Sequence, residues 1–221
     1  PDERRPIRLR GVTGTSKVPT IRAERFQIGE LLLEPLTLPV VADAFGGAEG
    51  ILGTEGLGDK RVRIDFRKDR IVIARSHNER AEAGFITIPL ERARGRLLVA
   101  AGRAGRVPVK VIIGTGGQVT IGNSALRDAL TRRPSEEPSV DRIVGITLEE
   151  QEGEGRVAPT IALGELRVRG ARVTYGDMRI FEYLNLADEP ALLIGMDALG
   201  LLDTLIIDYR RHELQAKLVG R

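Results

Sequence analysis

The sequence predicts an all-β protein made of two similar lobes with few short helices. Three observations carry this. Val, Ile and Leu come in short runs broken by Gly, Pro and charged residues; aromatic residues are only 4% of the chain; and one series of short words occurs twice, 134 to 143 residues apart. Short β-branched runs between turn formers favour strands over helices. Self-similarity at a steady separation marks duplicated units. With 221 residues and 42% hydrophobic content, the chain has apolar surface enough for two modest cores.

The words recur in the same order. Gly11-Val12-Thr13-Gly14 is answered by Gly145-Ile146-Thr147, each followed by a polar stretch and an alternating strand. Phe26-Gln27-Ile28-Gly29-Glu30-Leu31 matches Ile161-Ala162-Leu163-Gly164-Glu165-Leu166, a strand, a tight turn and a strand. Ile51-Leu52-Gly53 matches Leu193-Ile194-Gly195. After it, Ile64-Asp65-Phe66-Arg67 matches Ile207-Asp208-Tyr209-Arg210, and the last strands run from Arg70 to Ala74 and from Glu213 to Leu218.

The expected division is a first lobe over 1–75, a linker and crossover strand over 76–94, and a second lobe over 95–221. Within the linker, Phe85 to Leu90 reads as a strand. The second copy carries a run, Gly95 to Leu130, that the first lacks, so roughly 40 residues of the first lobe are expected before Pro1. Helix is expected over Ser124 to Leu130 and in short turns after each apolar-Gly step. Thr131 to Ser139, with two prolines and two glutamates, reads as a solvated loop.

Composition excludes several functions. The net charge of +3 comes from arginines scattered among acids, without a phosphate-tracking stripe, so no nucleic-acid partner is expected. No cysteine is present, hence no disulfide, thiolate metal site or thiol nucleophile. His77 and His212 sit in polar settings and read as solvated, which leaves no imidazole for a triad and no metal site. No apolar run reaches membrane-spanning length. Pro1 in place of a start methionine reads as processing.

The chemistry concentrates in one place. Val107 to Ile113 reads as a buried strand, followed at once by Gly114-Thr115-Gly116-Gly117 and then Gln118-Val119-Thr120-Ile121. A dinucleotide-binding glycine loop does not fit: Val119 holds the third-glycine position, and no helix or β-α-β unit follows. A purely structural turn in an old sandwich is the bland alternative.

This segment resembles the active-site strand and loop of the retropepsin-like aspartic proteases, written apolar-apolar-Asp-Thr/Ser-Gly-Ala/Gly. Thr115, Gly116 and Gly117 match, and Gly114 stands where that family has its aspartate. Leu193-Ile194-Gly195-Met196-Asp197 is similar to the family's Ile-Leu-Gly-x-Asp. The resemblance implies two pepsin/retropepsin-like β-barrel lobes forming an intramolecular pseudo-dimer. It also implies flaps at Gly11–Gly14 and at Gly145 to Arg156, the latter with Gly153 and Gly155 near its tip, and apolar-Gly steps behind the loops.

What the resemblance implies for function is an aspartic endopeptidase-type protein whose interlobe cleft takes an extended peptide or protein substrate. In the family two aspartates share one proton and activate water, without cofactor or metal. Gly114 carries no carboxylate, so the chain as it stands is expected to be inactive. Asp65, Asp208 and Asp197 are expected at lobe peripheries, in salt bridges or caps. The alternative is a non-catalytic pseudoprotease or peptide-binding module on the same fold. Bacterial relatives are often exported, so a periplasmic location is expected, and lobes pairing between chains would be a route to self-association.

Overall fold

The computed structural model describes residues 3–28, 31–41, 50–54, 56–130 and 138–220. The protein is all-β, with three short helices among the described residues. The first half runs β1 (Glu3–Arg10), β2 (Thr15–Ala23), β3 (Phe26–Ile28), β4 (Leu31–Leu33), β5 (Leu36–Pro39), β6 (Lys60–Asp65) and β7 (Arg70–Arg75). β8 (Phe85–Pro89) and β9 (Glu91–Arg92) follow. The second half begins with β10 (Leu98–Ala104), β11 (Val107–Ile113), β12 (Ile121–Gly122) and α1 (Ser124–Leu130). Next come β13 (Ser139–Val144), β14 (Glu150–Val157), β15 (Ile161–Leu163), β16 (Leu166–Val168) and β17 (Arg172–Tyr175). The chain ends with α2 (Arg179–Tyr183), β18 (Ala191–Ile194), α3 (Met196–Leu199), β19 (Thr204–Asp208) and β20 (Glu213–Lys217).

The sequence repeat reappears as repeated pairing. Phe26 faces Leu33 as Ile161 faces Val168, and Thr20 faces Pro39 as Gly155 faces Thr174. Val62 faces Ile73 as Leu205 faces Ala216. The two hairpins β6-β7 and β19-β20 join in one five-stranded sheet, ordered β7-β6-β19-β20-β8. At its seam Val62 faces Ile207 and Ile64 faces Leu205, so Arg63 stands opposite Ile206, its own equivalent in the repeat. A local two-fold axis therefore passes through that pair.

Around β11 the second half builds a larger sheet, ordered β13-β14-β17-β12-β18-β11-β10-β15-β16. β11 is buried on both faces. Strand alternation sends Val109, Val111 and Ile113 into the main core, with Leu192, Ile194 and Leu205, while Ile112 enters a second cluster with Phe181, Met178 and Leu193. Each such side chain contributes about 1.5–3 kcal/mol, which is why Val111-Ile112-Ile113 is apolar without a break, after the half-buried Lys110.

Three expectations change. Gly153 and Gly155 lie inside β14, opposite Asp141 and Ser139, and the hairpin tip is at 145–149. They are glycines because a Cβ at Gly153 would stand 2.8 Å from the Tyr175 carbonyl oxygen, and one at Gly155 would meet Asp141, Arg172 and Ser139. Asp208 is not peripheral: it is fully buried, accepting hydrogen bonds from Ser76 Oγ at 2.9 Å and from the amides of Arg210 and Arg211. α2 was not expected: at five residues it is shorter than the span over which helical periodicity can be read. Residues 131–137 of the expected solvated loop, and the turn at Gly29-Glu30, lie outside the described residues.

Candidate functional site

β11 delivers the glycine loop to the surface. The Gly114 amide donates to the Ile194 carbonyl at 3.0 Å, and the Gly117 amide donates to the Gly114 carbonyl at 3.1 Å, closing a tight turn with Thr115 and Gly116 exposed at its tip. The far side of the loop is held by α3. The amides of Met196 and Asp197 donate to the carbonyls of Gly117 and Gln118, at 2.8 and 2.9 Å.

Asp197 is the clamp of this loop. Its carboxylate accepts from the Thr120 amide (3.0 Å), the Thr120 hydroxyl (2.7 Å) and the Ala198 amide (2.8 Å). The Thr120 hydroxyl in turn accepts from the Gly195 amide at 3.1 Å, and Thr120 is fully buried. A salt bridge or cap was expected of Asp197; it stands in the first turn of α3, whose N-cap position is Gly195, accepts from the Ala198 amide there, and ties the loop to the apolar-Gly step. Gly195 is required by close approach, since a Cβ there would stand 2.5 Å from the Val119 carbonyl carbon. Asn123 has a matching role: its Oδ1 accepts from the amides of Leu126 and Ala191, and its amide nitrogen donates to the carbonyls of Leu186 and Glu189. An Asn directly before an amphipathic heptamer is a helix-start signal that could have shown the first of these bonds.

The two repeated hairpin tips meet. Gly11 donates to Gly14 across the β1-β2 tip at 2.8 Å, and Gly145 donates to Glu149 across the β13-β14 tip at 3.2 Å. A Cβ on Gly11 would lie 3.0 Å from Ile146 Cγ2, and one on Gly145 would run into the Thr13 side chain. Thr13 is 1% exposed. The hydroxyls of Thr13 and Thr147, equivalents in the repeat, are buried without a hydrogen-bond partner among the described residues. The first tip is also anchored to α2: the Ile180 amide donates to the Val12 carbonyl at 3.2 Å, and the Arg10 guanidinium lies 5.1 Å from the centre of the Tyr183 ring.

Between loop and tips lies an open cleft of about 1810 Å³, and its lining includes Gly11, Val12, Gly114–Gly117, Gly145 and Ile146, together with Ile51, Leu52 and Gly53 from the first half. Thr13, Gly14 and Thr147 lie at the same tips but outside that lining. Leu193 also lines the cleft, whereas Ile194 and Gly195 pack behind it. Gly114 is tightly bounded: a Cβ there would stand 2.5 Å from Leu193 Cδ2 and 3.0 Å from the Ile194 carbonyl oxygen. Among the described residues no group of three or more His, Asp or Glu could hold a metal ion.

The β13-β14 hairpin depends on one acid. Burial works against ionisation of Asp141, but hydrogen bonds from Arg172, Ser139 and Thr174 outweigh it and hold the carboxyl below its ordinary range. Because the folded value is depressed, this stabilisation is present above the unfolded carboxyl pKa of about 4 and is lost as pH falls through the folded value. Amide exchange in β13 and β14 is expected to accelerate below about pH 4, ahead of exchange in β19. The Asp141→Asn variant should show that acceleration at neutral pH. Tyr175, beside this hairpin, is pushed up to about 12, chiefly by burial, and serves as core.

No protein-family model matches this sequence, and no curated protein matches it. Among solved structures, a retropepsin-like aspartic protease from Rickettsia conorii aligns at 17% identity with a TM-score of 0.42, over 62% of this chain and 92% of its own. Conglutin gamma, a basic 7S globulin from lupine seeds, aligns at 11% identity with a TM-score of 0.40, over 92% of this chain and 69% of its own.

Proposed function

We propose that this chain is an aspartic endopeptidase-type scaffold that binds an extended peptide in its cleft and does not cut it. The observation that carries the reading is the cleft itself, framed by the Gly114–Gly117 loop and the two repeated hairpin tips. The scaffold divides into a first lobe over 1–75, a connecting segment over 76–94 and a second lobe over 95–221. Extended backbone would lie between loop and tips and pair with strand edges. The unpartnered hydroxyls of Thr13 and Thr147 would find acceptors or donors on that backbone once the tips part.

Catalysis on such a scaffold needs two carboxylates sharing a proton: one takes a proton from the attacking water, and the other donates a hydrogen bond to the developing oxyanion. Gly114 occupies the position from which one would come, and it can do neither. Adding the carboxylate back also requires Leu193 to move, because its Cδ2 is 2.5 Å from the new Cβ. The pairing Gly114→Asp with Leu193→Ala is therefore the variant that fits.

The test is binding of an extended-peptide library, followed by hydrogen exchange and by mass spectrometry for cleavage at pH 4 and pH 7. The natural chain is expected to bind, to protect residues 10–14 and 145–149, and to release no fragments. Gly116 has open space where a side chain would project, so Gly116→Arg should keep the fold and weaken binding at least about tenfold, by occupying the cleft floor. Binding that Gly116→Arg leaves unchanged would sink the cleft reading. Cleavage by Gly114→Asp, Leu193→Ala alone would show that the second acid is supplied, by this chain if the activity is independent of protein concentration and by a second copy if it rises with it.

A further inference from the structure

The two hairpins that frame the cleft are charged differently. Each puts the end of one strand and its tip into the lining, residues 8–12 from β1 and 142–146 from β13. In the second hairpin the cation is answered from within: Arg142 stands opposite Glu152 and forms an ion pair with Glu150 at 3.4 Å. Its equivalent in the first hairpin is Arg8, which stands opposite Lys17. Like charges directly opposite each other destabilise a strand pair. Both side chains are exposed, and among the described residues neither has an acidic partner.

Further cations collect on the same side. Strand alternation puts Arg10 on the face of β1 that carries Arg8. Its guanidinium shares the Tyr183 ring with that of Arg94, at 5.1 and 5.0 Å from the ring centre. Glu182, the residue before that ring, is taken by Arg179 at 2.9 Å. Over the whole lining five cations face two acids, Glu182 and Glu149. Glu149 sits at the hairpin tips, against Gly14. The uncompensated positive charge therefore lies along the stem of β1, beyond the tip.

We infer that the cleft selects acidic peptides, in which two carboxylate side chains spaced two residues apart meet Arg8 and Arg10, with Lys17 beside them. This deepens the proposed function and rests on its reading of the cleft as a peptide site. β1 is the end strand of its sheet. A peptide that adds to that edge presents every second side chain to the face of Arg8 and Arg10. Each carboxylate then stands across from a guanidinium, an opposite-charge pair that stabilises the added strand and offsets the repulsion between Arg8 and Lys17. The open edge is a property of the repeat: the second half has β10, β11, β12 and α1 ahead of its hairpin, and the equivalent strand β13 still ends its sheet.

The probes are end-blocked octapeptides of alternating valine and threonine, with two successive threonines replaced by Glu or by Gln, near either end. Added to the full chain at low ionic strength, one of the Glu peptides should bind about fivefold or more tighter than its Gln counterpart, and about 0.5 M salt should shrink that ratio. Hydrogen exchange at residues 8–10 should slow more with Glu than with Gln. The double variant Arg8→Gln, Lys17→Gln changes two exposed positions, so it should melt no lower than the natural chain and should bring the ratio within about twofold. Arg106→Gln, Arg169→Gln removes the same charge from exposed positions outside the cleft and should leave the ratio as it was. Equal binding of the Glu and Gln peptides overturns the inference and leaves the cleft reading standing. A preference for Glu that survives Arg8→Gln, Lys17→Gln also overturns it, because the acids would then be met elsewhere. Binding of neither peptide overturns the cleft reading, and the inference with it.

Discussion

Replacing Asp197 by alanine is expected to lower stability by about 3 kcal/mol, and the Tm by roughly 6–12 °C for a chain of this size. The carboxylate accepts three hydrogen bonds, two of them from Thr120, which is fully buried. Truncation leaves the Thr120 amide and hydroxyl without their acceptor where water cannot replace it, and a buried orphan costs more than the bond it lost. Urea denaturation measures the effect. Asp197→Asn keeps an acceptor oxygen and should lose about half as much. Thr120→Val should be non-additive with Asp197→Ala, since both remove the same contact. Additive losses would show that Asp197 acts through α3 alone.

Phe181→Ala is expected to cost about 3–5 kcal/mol, the range for emptying a buried aromatic site. Phe181 is 1% exposed and packs in the cluster containing Ile112, Ile121 and Leu193, so it seats α2 against the back of the loop. α2 also holds the β1-β2 tip, through Ile180 and Tyr183. The substitution should therefore accelerate amide exchange at residues 11–14 by more than the global loss accounts for. Tyr183→Leu, which removes the ring under Arg10 but leaves the core, should accelerate exchange at the tip with under about 1 kcal/mol of global cost.

The fold was legible where burial writes a pattern. The runs Val107 to Ile113 and Ile207-Asp208-Tyr209 are strand words because they are buried or flank turns, and the repeat showed which strands correspond. The recurrence of Gly-aliphatic-Thr marked both hairpins, but the tip of the second was read at Gly153 and Gly155 and lies at 145–149. Long-range polar geometry was not legible. That Asp197 would reach Thr120, 77 residues earlier, and that Asp208 would be buried against Ser76, 132 residues earlier, depends on tertiary approach, which no local spacing encodes. Gly153 and Gly155 misled for a related reason. Glycine signals a turn when read alone, whereas here it answers crowding from the neighbouring strand β17 and from Asp141 and Ser139. α2 escaped because a helix of five residues has little periodicity to read.

The seam through Arg63 and Ile206 has a consequence for how the molecule comes apart. Neither half owns the five-stranded sheet: β6 contributes its edge to β19, and Ile64 and Phe66 pack on the core that β19 and β20 build. Exposing that seam would open two strand edges and the apolar faces beside them at once. The chain should therefore melt in one cooperative transition. A proteolytic nick in the exposed stretch 77–80 would leave two fragments that stay together as a complex, with neither keeping its shape once the other is removed.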